Sequence, residues 1–395
     1  MADIEAFGPV VLIAGVVVMA AVLANRISAR ARVPVAAIFL LGAALASDIQ
    51  PALYGLSIPT VEKVVTVALV VILFDGGMEI GWRRFRQAAG AATLLGVVGT
   101  AATGMAVTLL AHLLFRLDWL TSLLIGIALA PTDPAVVFSV LGSRRIAGRS
   151  AIVLKGEAGL NDPVGIALMV SVLGAAGSSG SLRLADVLVI FLLQMLVGAL
   201  VGVVGGKLLV ASMRRMRLPS EGLYPLWALA GAAIIYGAAT VAHGSGFLAV
   251  FLAGILIGDV LAPYKSELEQ FNSVLASLAE IAAFIALGVT VSLHSVFGSG
   301  AWVTGLGLAA LLALVVRPLV VGPLLLPIRL GGGERVFVLW SGLKGAVPIL
   351  LAAFVVVAGV ADAARVYNVV FVVVAFSVIV QGSLVPLVAA RLRVP

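Results

Sequence analysis

Ala130-Pro131-Thr132-Asp133-Pro134 stands inside an apolar run from 119 to 141, and Ser341-Gly342-Leu343-Lys344-Gly345-Ala346-Val347-Pro348 stands inside another, from 335 to 359. Either run is long enough to cross a hydrocarbon core of about 30 Å as a helix. A plain membrane helix avoids what these two contain. Prolines on both sides of a carboxylate remove backbone hydrogen bonds, and glycines beside a lysine and a proline weaken a helix similarly, so both helices should unwind at mid-span. Interruptions at equivalent places in two halves of a chain point to inverted repeats with a site near the bilayer midplane.

Working outward, polar and Pro/Gly punctuation divides the chain into about thirteen spans. They run approximately 8 to 24, 34 to 54, 62 to 80, 88 to 115, 119 to 141, 150 to 175, 185 to 212, 223 to 242, 245 to 262, 272 to 293, 301 to 326, 335 to 359 and 366 to 390. If the seventh span is a connector helix, residues 8–175 and 223–390 form two six-helix halves, and the broken helix is the fifth of each. The expected fold is an all-α polytopic membrane protein forming one transmembrane domain over 1–395, with no linker long enough to set off a soluble domain.

Composition agrees. Of 395 residues, 62% are hydrophobic and 11% charged, and the mean hydropathy is +1.23. A soluble domain carries roughly a quarter charged residues, so the solvent around most of this chain is lipid. The net charge of +7 does not indicate nucleic acid, because the basic residues sit in short clusters between apolar runs. Arg26, Arg30 and Arg32, then Arg83, Arg84 and Arg86, then Arg144, Arg145 and Arg149, then Arg214, Arg215 and Arg217 mark alternate connections. The positive-inside rule places these clusters in the cytoplasm, with the N-terminus outside and the C-terminus inside a bacterial inner membrane. The first run is followed, not preceded, by its arginines, which is the wrong polarity for a cleaved signal. Cysteine is absent, excluding disulfides and thiolate chemistry. His112, His243 and His294 are too scattered for a zinc centre.

The sixth span supplies the chemistry, in Gly156-Glu157-Ala158-Gly159-Leu160-Asn161-Asp162-Pro163. Glu157 and Asn161 share a helix face, and Asp162 lies one residue on, near mid-span. A carboxylate at that depth costs several kcal/mol unless it meets a cation, water or a donor, which makes Asp162 a functional candidate by default. Lys344 is the expected partner of Glu157, since two buried opposite charges are far less costly together than apart. A hard monovalent cation takes oxygen ligands, and Asp162, Asn161 and the Thr132-Asp133 break offer carboxylate, amide, hydroxyl and freed carbonyl oxygens. A carboxylate that holds either a proton or a metal ion is the minimum equipment of an exchanger. Asp75 and Glu280 are weaker candidates, for pathway or structural roles. Glu79 is expected to pair with Arg83, four residues on, and Arg317 to have a buried structural partner. No cofactor is expected beyond the transported ions.

The chain resembles the monovalent cation:proton antiporter-1 family, the NhaP-type sodium/proton exchangers. The residues that carry the resemblance are Leu73-Phe74-Asp75-Gly76-Gly77, Thr132-Asp133-Pro134, Glu157 with Asn161-Asp162-Pro163, and Gly342-Leu343-Lys344-Gly345-Ala346-Val347-Pro348. The resemblance implies thirteen helices with two crossed broken ones, a dimerisation domain and a moving six-helix core, and so a homodimer. It also implies that Asp162 is the carboxylate shared by proton and cation, that Asn161 and Thr132 help hold sodium or potassium, that Asp133 stabilises the unwound helix ends, and that Asp75 faces the pathway. Lys344 stands where the family usually has arginine, and Ala158 where it often has serine. Asn161, in the place of a second carboxylate, predicts electroneutral exchange of one proton for one cation. A sodium-coupled symporter, a cation channel and an intramembrane aspartyl protease built on Asp133 and Asp162 are the competing expectations. The last lacks the Gly-x-Gly-Asp sequence that such enzymes carry.

Overall fold

The structure, a computed structural model, describes residues 34–50, 57–141, 149–179, 183–216, 218–259 and 265–392, with scattered positions between 8 and 23. The first expected span, 8 to 24, lies almost wholly outside them, as do Arg144 and Arg145. Within the described residues the chain is helical and forms no strand. Among the described residues, seven helices are long and apolar enough to cross a membrane. They are joined by shorter apolar helices, several of them halves of interrupted spans.

Helix α1 is Val35–Ile49, and α2 is Ile58–Thr93. Ser57 caps α2 by accepting from the Thr60 N–H, and a proline sits in its first turn, where the missing N–H costs nothing. The expected loop between the third and fourth spans is instead a kink. Gly81 alone leaves helical geometry, at φ 67°, a conformation that glycine adopts without strain. Asp259 stabilises the kink by accepting from the Arg83 N–H. A π-turn over Leu94–Gly99 then leads into α3, Thr100–Phe115.

The fifth span divides into α4, Trp119–Ala128, and α5, Pro134–Leu141. Helix α6, Arg149–Ser179, continues through Pro163. Then come α7 (Leu184–Arg215), α8 (Leu223–Val241), α9 (Gly246–Gly258), α10 (Lys265–Gly288) and the short α11 (Leu293–Gly298). Helices α12 (Ala301–Leu311) and α13 (Arg317–Leu324) form the eleventh span. The twelfth divides, as expected, into α14 (Gly332–Trp340) and α15 (Ala346–Val357). Helices α16 (Ala363–Phe376) and α17 (Gly382–Leu392) complete the chain.

Two groups of helices face one another. Helix α9 is clasped between α2 and α7 with almost no side-chain spacing: a Cβ at Gly254 would strike the Phe74 carbonyl, and one at Gly202 would strike the Ala249 carbonyl. Lipid provides no hydrophobic drive between helices, so backbone approach of this kind is what binds them. Opposite this block, α4 packs on α3, α15 and α16, and α12 on α16. Helix α6 runs along the boundary, touching α2, α7 and α9 on one side and α4 and α15 on the other.

Candidate ion-binding site

The two breaks cross. The Asp133 N–H donates to the Leu343 carbonyl at 2.8 Å, tying one unwound segment to the other. From the second break Lys344 reaches across the first, and its Nζ donates to the carbonyls of Ala130 (3.1 Å) and Pro131 (2.8 Å). These acceptors lie just past the end of α4, where the helix dipole concentrates negative partial charge, so a buried ammonium is matched to them. Its own backbone N–H donates to Ser377 Oγ at 2.9 Å. Asp133 serves the opposite polarity: its Oδ1 accepts from the Ala135 N–H at 2.8 Å, in the first turn of α5. The other carboxylate oxygen lies against Gly345, immediately before α15, where a Cβ would collide with it.

Arg317 does for α14 what Lys344 does for α4. Its Nε donates to the Leu339 carbonyl (3.0 Å) and its Nη2 to that of Val338 (3.3 Å), the last turn of the half-helix. A Cβ at Gly342 would collide with this guanidinium. Glu157 neutralises it, with Oε1 at 2.9 Å and Oε2 at 3.2 Å from Nη2. Both side chains are about 5% exposed. The partner of Glu157 is therefore Arg317 and not Lys344, and the expected Glu157–Lys344 pair is corrected. Spacing placed both cations in neighbouring spans, but Lys344 is committed to carbonyls and Arg317 is the one turned toward α6. The expectation that Arg317 has a buried structural partner holds.

From this ion pair a polar chain runs toward the middle of the site. The Thr132 hydroxyl donates to Glu157 Oε1 at 3.5 Å, and Asn161 Nδ2 donates to Thr132 Oγ1 at 2.7 Å. Thr132 and Asn161 are both buried. This arrangement turns the amide's donor side to Thr132, and Asn161 Oδ1 is left buried without a hydrogen-bond partner among the described residues. Such an atom is costly unless something else satisfies it.

Asp162, one residue on, is turned by about 100° around α6 from Asn161. It is half-buried and lines a cavity of about 300 Å³. Asp133, Asp75 and Glu280 line the same cavity, with Glu79 and Lys155 also on its wall. The structure thus brings Asp162, Asp133, Asp75 and Glu280 into one space, while Asn161, Thr132, Glu157 and Lys344 form the packed layer behind it. Glu79 pairs with Lys155 at 2.5 Å, not with Arg83 as expected. The kink at Gly81 turns the helix between Glu79 and Arg83, so i, i+4 spacing no longer places them side by side.

Several contributors lay beyond sequence reasoning. Phe251 of α9 presses its ring on Gly159, where a Cβ would overlap it. Ser273 and Ser277 of α10 join Glu280 along the cavity wall. Gln381 braces the second break, with its Nε2 donating to the Trp340 carbonyl at 2.6 Å and its Oε1 accepting from Ser377 at 3.2 Å. A polar residue in an apolar span was the available signal for Gln381. Phe251 gave none.

A multi-pass helical membrane protein with two crossed, broken helices and a carboxylate-lined cavity at their crossing belongs to the class of secondary transporters. Comparison with known proteins narrows this. Residues 10–391 match the family described as sodium/hydrogen exchanger, transmembrane, and the chain belongs to that family. It is 36% identical over 394 residues to the K(+)/H(+) antiporter NhaP of Alkalimonas amylolytica, covering 98% of this chain and 68% of that one. It is 34% identical over 385 residues to the K(+)/H(+) antiporter NhaP2 of Shewanella oneidensis, covering 96% and 66%. The chain thus spans about two thirds of the length of these relatives. Its fold matches that of the sodium proton antiporter MjNhaP1 from Methanocaldococcus jannaschii with a TM-score of 0.81, over 99% of both chains at 20% identity.

Proposed function

We propose that this chain exchanges a monovalent metal cation, potassium or sodium, for a proton, one for one, by alternating access across a bacterial plasma membrane. The observation that carries the reading is the position of Asp162, half-buried on α6 at the crossing of the two breaks and open to the cavity. A carboxylate there accepts a proton or a cation, and binding either neutralises it. Asn161 and Thr132 complete an oxygen-rich corner, with the orphaned Asn161 Oδ1 as a further ligand. The names of the two bacterial relatives above favour potassium. Asp75 and Glu280 on the cavity wall raise the local concentration of cations approaching Asp162.

A second cavity supports alternating access. It has about 750 Å³ and is lined by Glu62, Lys63, Gln194, Tyr236 and Thr240, with Ile166 and Val170 from α6. Helix α6 is therefore approached by one space at Asp162 and by another at Ile166, a turn further along. The cavity at Asp162 lies toward the end bearing Arg83, Arg84 and Arg86, which the positive-inside rule assigns to the cytoplasm. The same rule sets the C-terminus inside and the N-terminus outside. The α1, α2 and α7–α10 block is the natural fixed, dimer-forming part, and the remainder is the moving core.

Electroneutrality rests on Asn161 standing where a second carboxylate would stand, and on Lys344 being held by two carbonyls. The test is exchange in proteoliposomes with an internal pH dye, challenged in turn with sodium, lithium, potassium and rubidium. The sodium-driven endpoint is then measured in potassium-free buffers, with a gradient of the membrane-permeant anion thiocyanate setting the interior negative or positive. An electrogenic cycle moving one charge is biased by about 2.3 kcal/mol per 100 mV. We expect the same pH endpoint at both potentials. A potential-dependent endpoint overturns the one-for-one stoichiometry, and absence of cation-driven proton movement overturns antiport.

A further inference from the structure

Away from the ion site, a groove of about 310 Å³ lies between the end of α2, the start of α6 and the turn joining α13 to α14. Gln87 and Leu94 form one wall, Arg149 and Val153 a second, and Ile328 and Arg329 a third. Among the described residues no carboxylate lines it. Arg149 and Arg329 are both exposed, and neither has an ion-pair partner among the described residues. The loop carrying Arg329 is fixed, because Arg335 Nη2 donates to the carbonyls of Leu326 (3.2 Å) and Ile328 (3.4 Å).

The depth of the groove follows from α6. Arg149 precedes Asp162 by about 20 Å along a helix rising 1.5 Å per residue. With Asp162 near the midplane of a hydrocarbon core of about 30 Å, Arg149 stands among the lipid headgroups. The positive-inside rule explains arginines at this level. It does not explain two that converge, without an acid, on a groove with an apolar floor. Leu94 lines the groove, and Val98, four residues further along the same π-turn, is 50% exposed to the surroundings of the molecule. A soluble anion has no use for such a surface, whereas an acyl chain does.

We propose that this groove binds an anionic phospholipid, its headgroup phosphate between Arg149 and Arg329 and an acyl chain along Leu94 and Val98. The lipid bridges α2, α6 and the α13–α14 turn and so ties the end of α2 to the core at the cytoplasmic face. The proposal does not depend on which ion is exchanged.

The test uses the purified, delipidated full chain in detergent. Phosphatidylglycerol, phosphatidylcholine or inorganic phosphate is added, retention is read by native mass spectrometry and stability by thermal melting. Phosphatidylglycerol should be retained and should raise the melting temperature, and the other two should do neither. R149Q/R329Q should retain phosphatidylglycerol about thirtyfold less tightly, the value for two basic residues at an anionic surface. R149K/R329K should keep most of the affinity. If the double glutamine variant does not fold, R329Q alone, on an exposed turn, should show about a fivefold loss. Equal retention of phosphatidylglycerol by wild type and the glutamine variants overturns the site. So does stabilisation by inorganic phosphate alone, which would mark a free-anion site.

Discussion

The two breaks perform the same topological act with opposite chemistry. The first, around Pro131 and Pro134, is opened by prolines and carries Thr132 and Asp133 into the site. The second, around Gly342 and Gly345, is opened by glycines whose missing side chains make room for Arg317 and for Asp133. It contributes one charged group, Lys344, and that group is spent on the carbonyls of the first break. Prolines free acceptors and leave the backbone stiff, whereas glycines admit neighbours. On the proposed function the first break, with α6, is the ion-handling half of the crossing, and the second is the part that holds it in place.

This division is open to test, first at the site itself. Asp162→Asn should abolish cation-driven proton movement in proteoliposomes while leaving the melting temperature in detergent near that of wild type. Residual flux well above empty liposomes would remove Asp162 from its role. Next in size are the buried charges behind the second break. Glu157→Leu or Arg317→Met alone should destabilise by about 3–5 kcal/mol, because each strands its partner in a low-dielectric place. Combining the two should recover much of that loss. A double variant melting no higher than the worse single one would show that the pair is not a unit.

Lys344→Met should cost about 2–3 kcal/mol in stability by releasing the Ala130 and Pro131 carbonyls from a charged donor. If Lys344→Met instead keeps its melting temperature and loses transport, the second break belongs to the ion pathway and the contrast between the two breaks fails. The smallest effect is expected from Thr132→Val, which cuts the chain from Asn161 to Glu157. It should lower stability by about 1 kcal/mol and raise the cation KM while transport persists. An unchanged KM would confine Thr132 to a structural part.

Sequence reading went far where chemistry is local. The two interruptions, the mid-span Asp162 and the polarity of Asn161 beside it are legible because prolines, glycines and carboxylates are conspicuous in apolar runs and each has a definite cost there. Pairings across helices were not legible in the same way. Glu157 had two buried cations within reach on paper, and the choice of Arg317 over Lys344 follows from helix rotation and depth. Glu79 joined Lys155 once Gly81 had turned the helix.

The sequence by itself determined the membrane solvent, the all-helical architecture and the two positions where helices must open, because these follow from length, hydropathy and backbone chemistry along one segment. Only the tertiary structure decided that the breaks cross at Asp133 and Leu343, that Asp75, Asp133, Asp162 and Glu280 share one cavity, and which cation each buried carboxylate meets. The physical reason is that such encounters depend on how whole helices turn and approach. In lipid that is set by glycine-mediated backbone contact and polar pairing summed over many residues, and no single stretch of the chain encodes it.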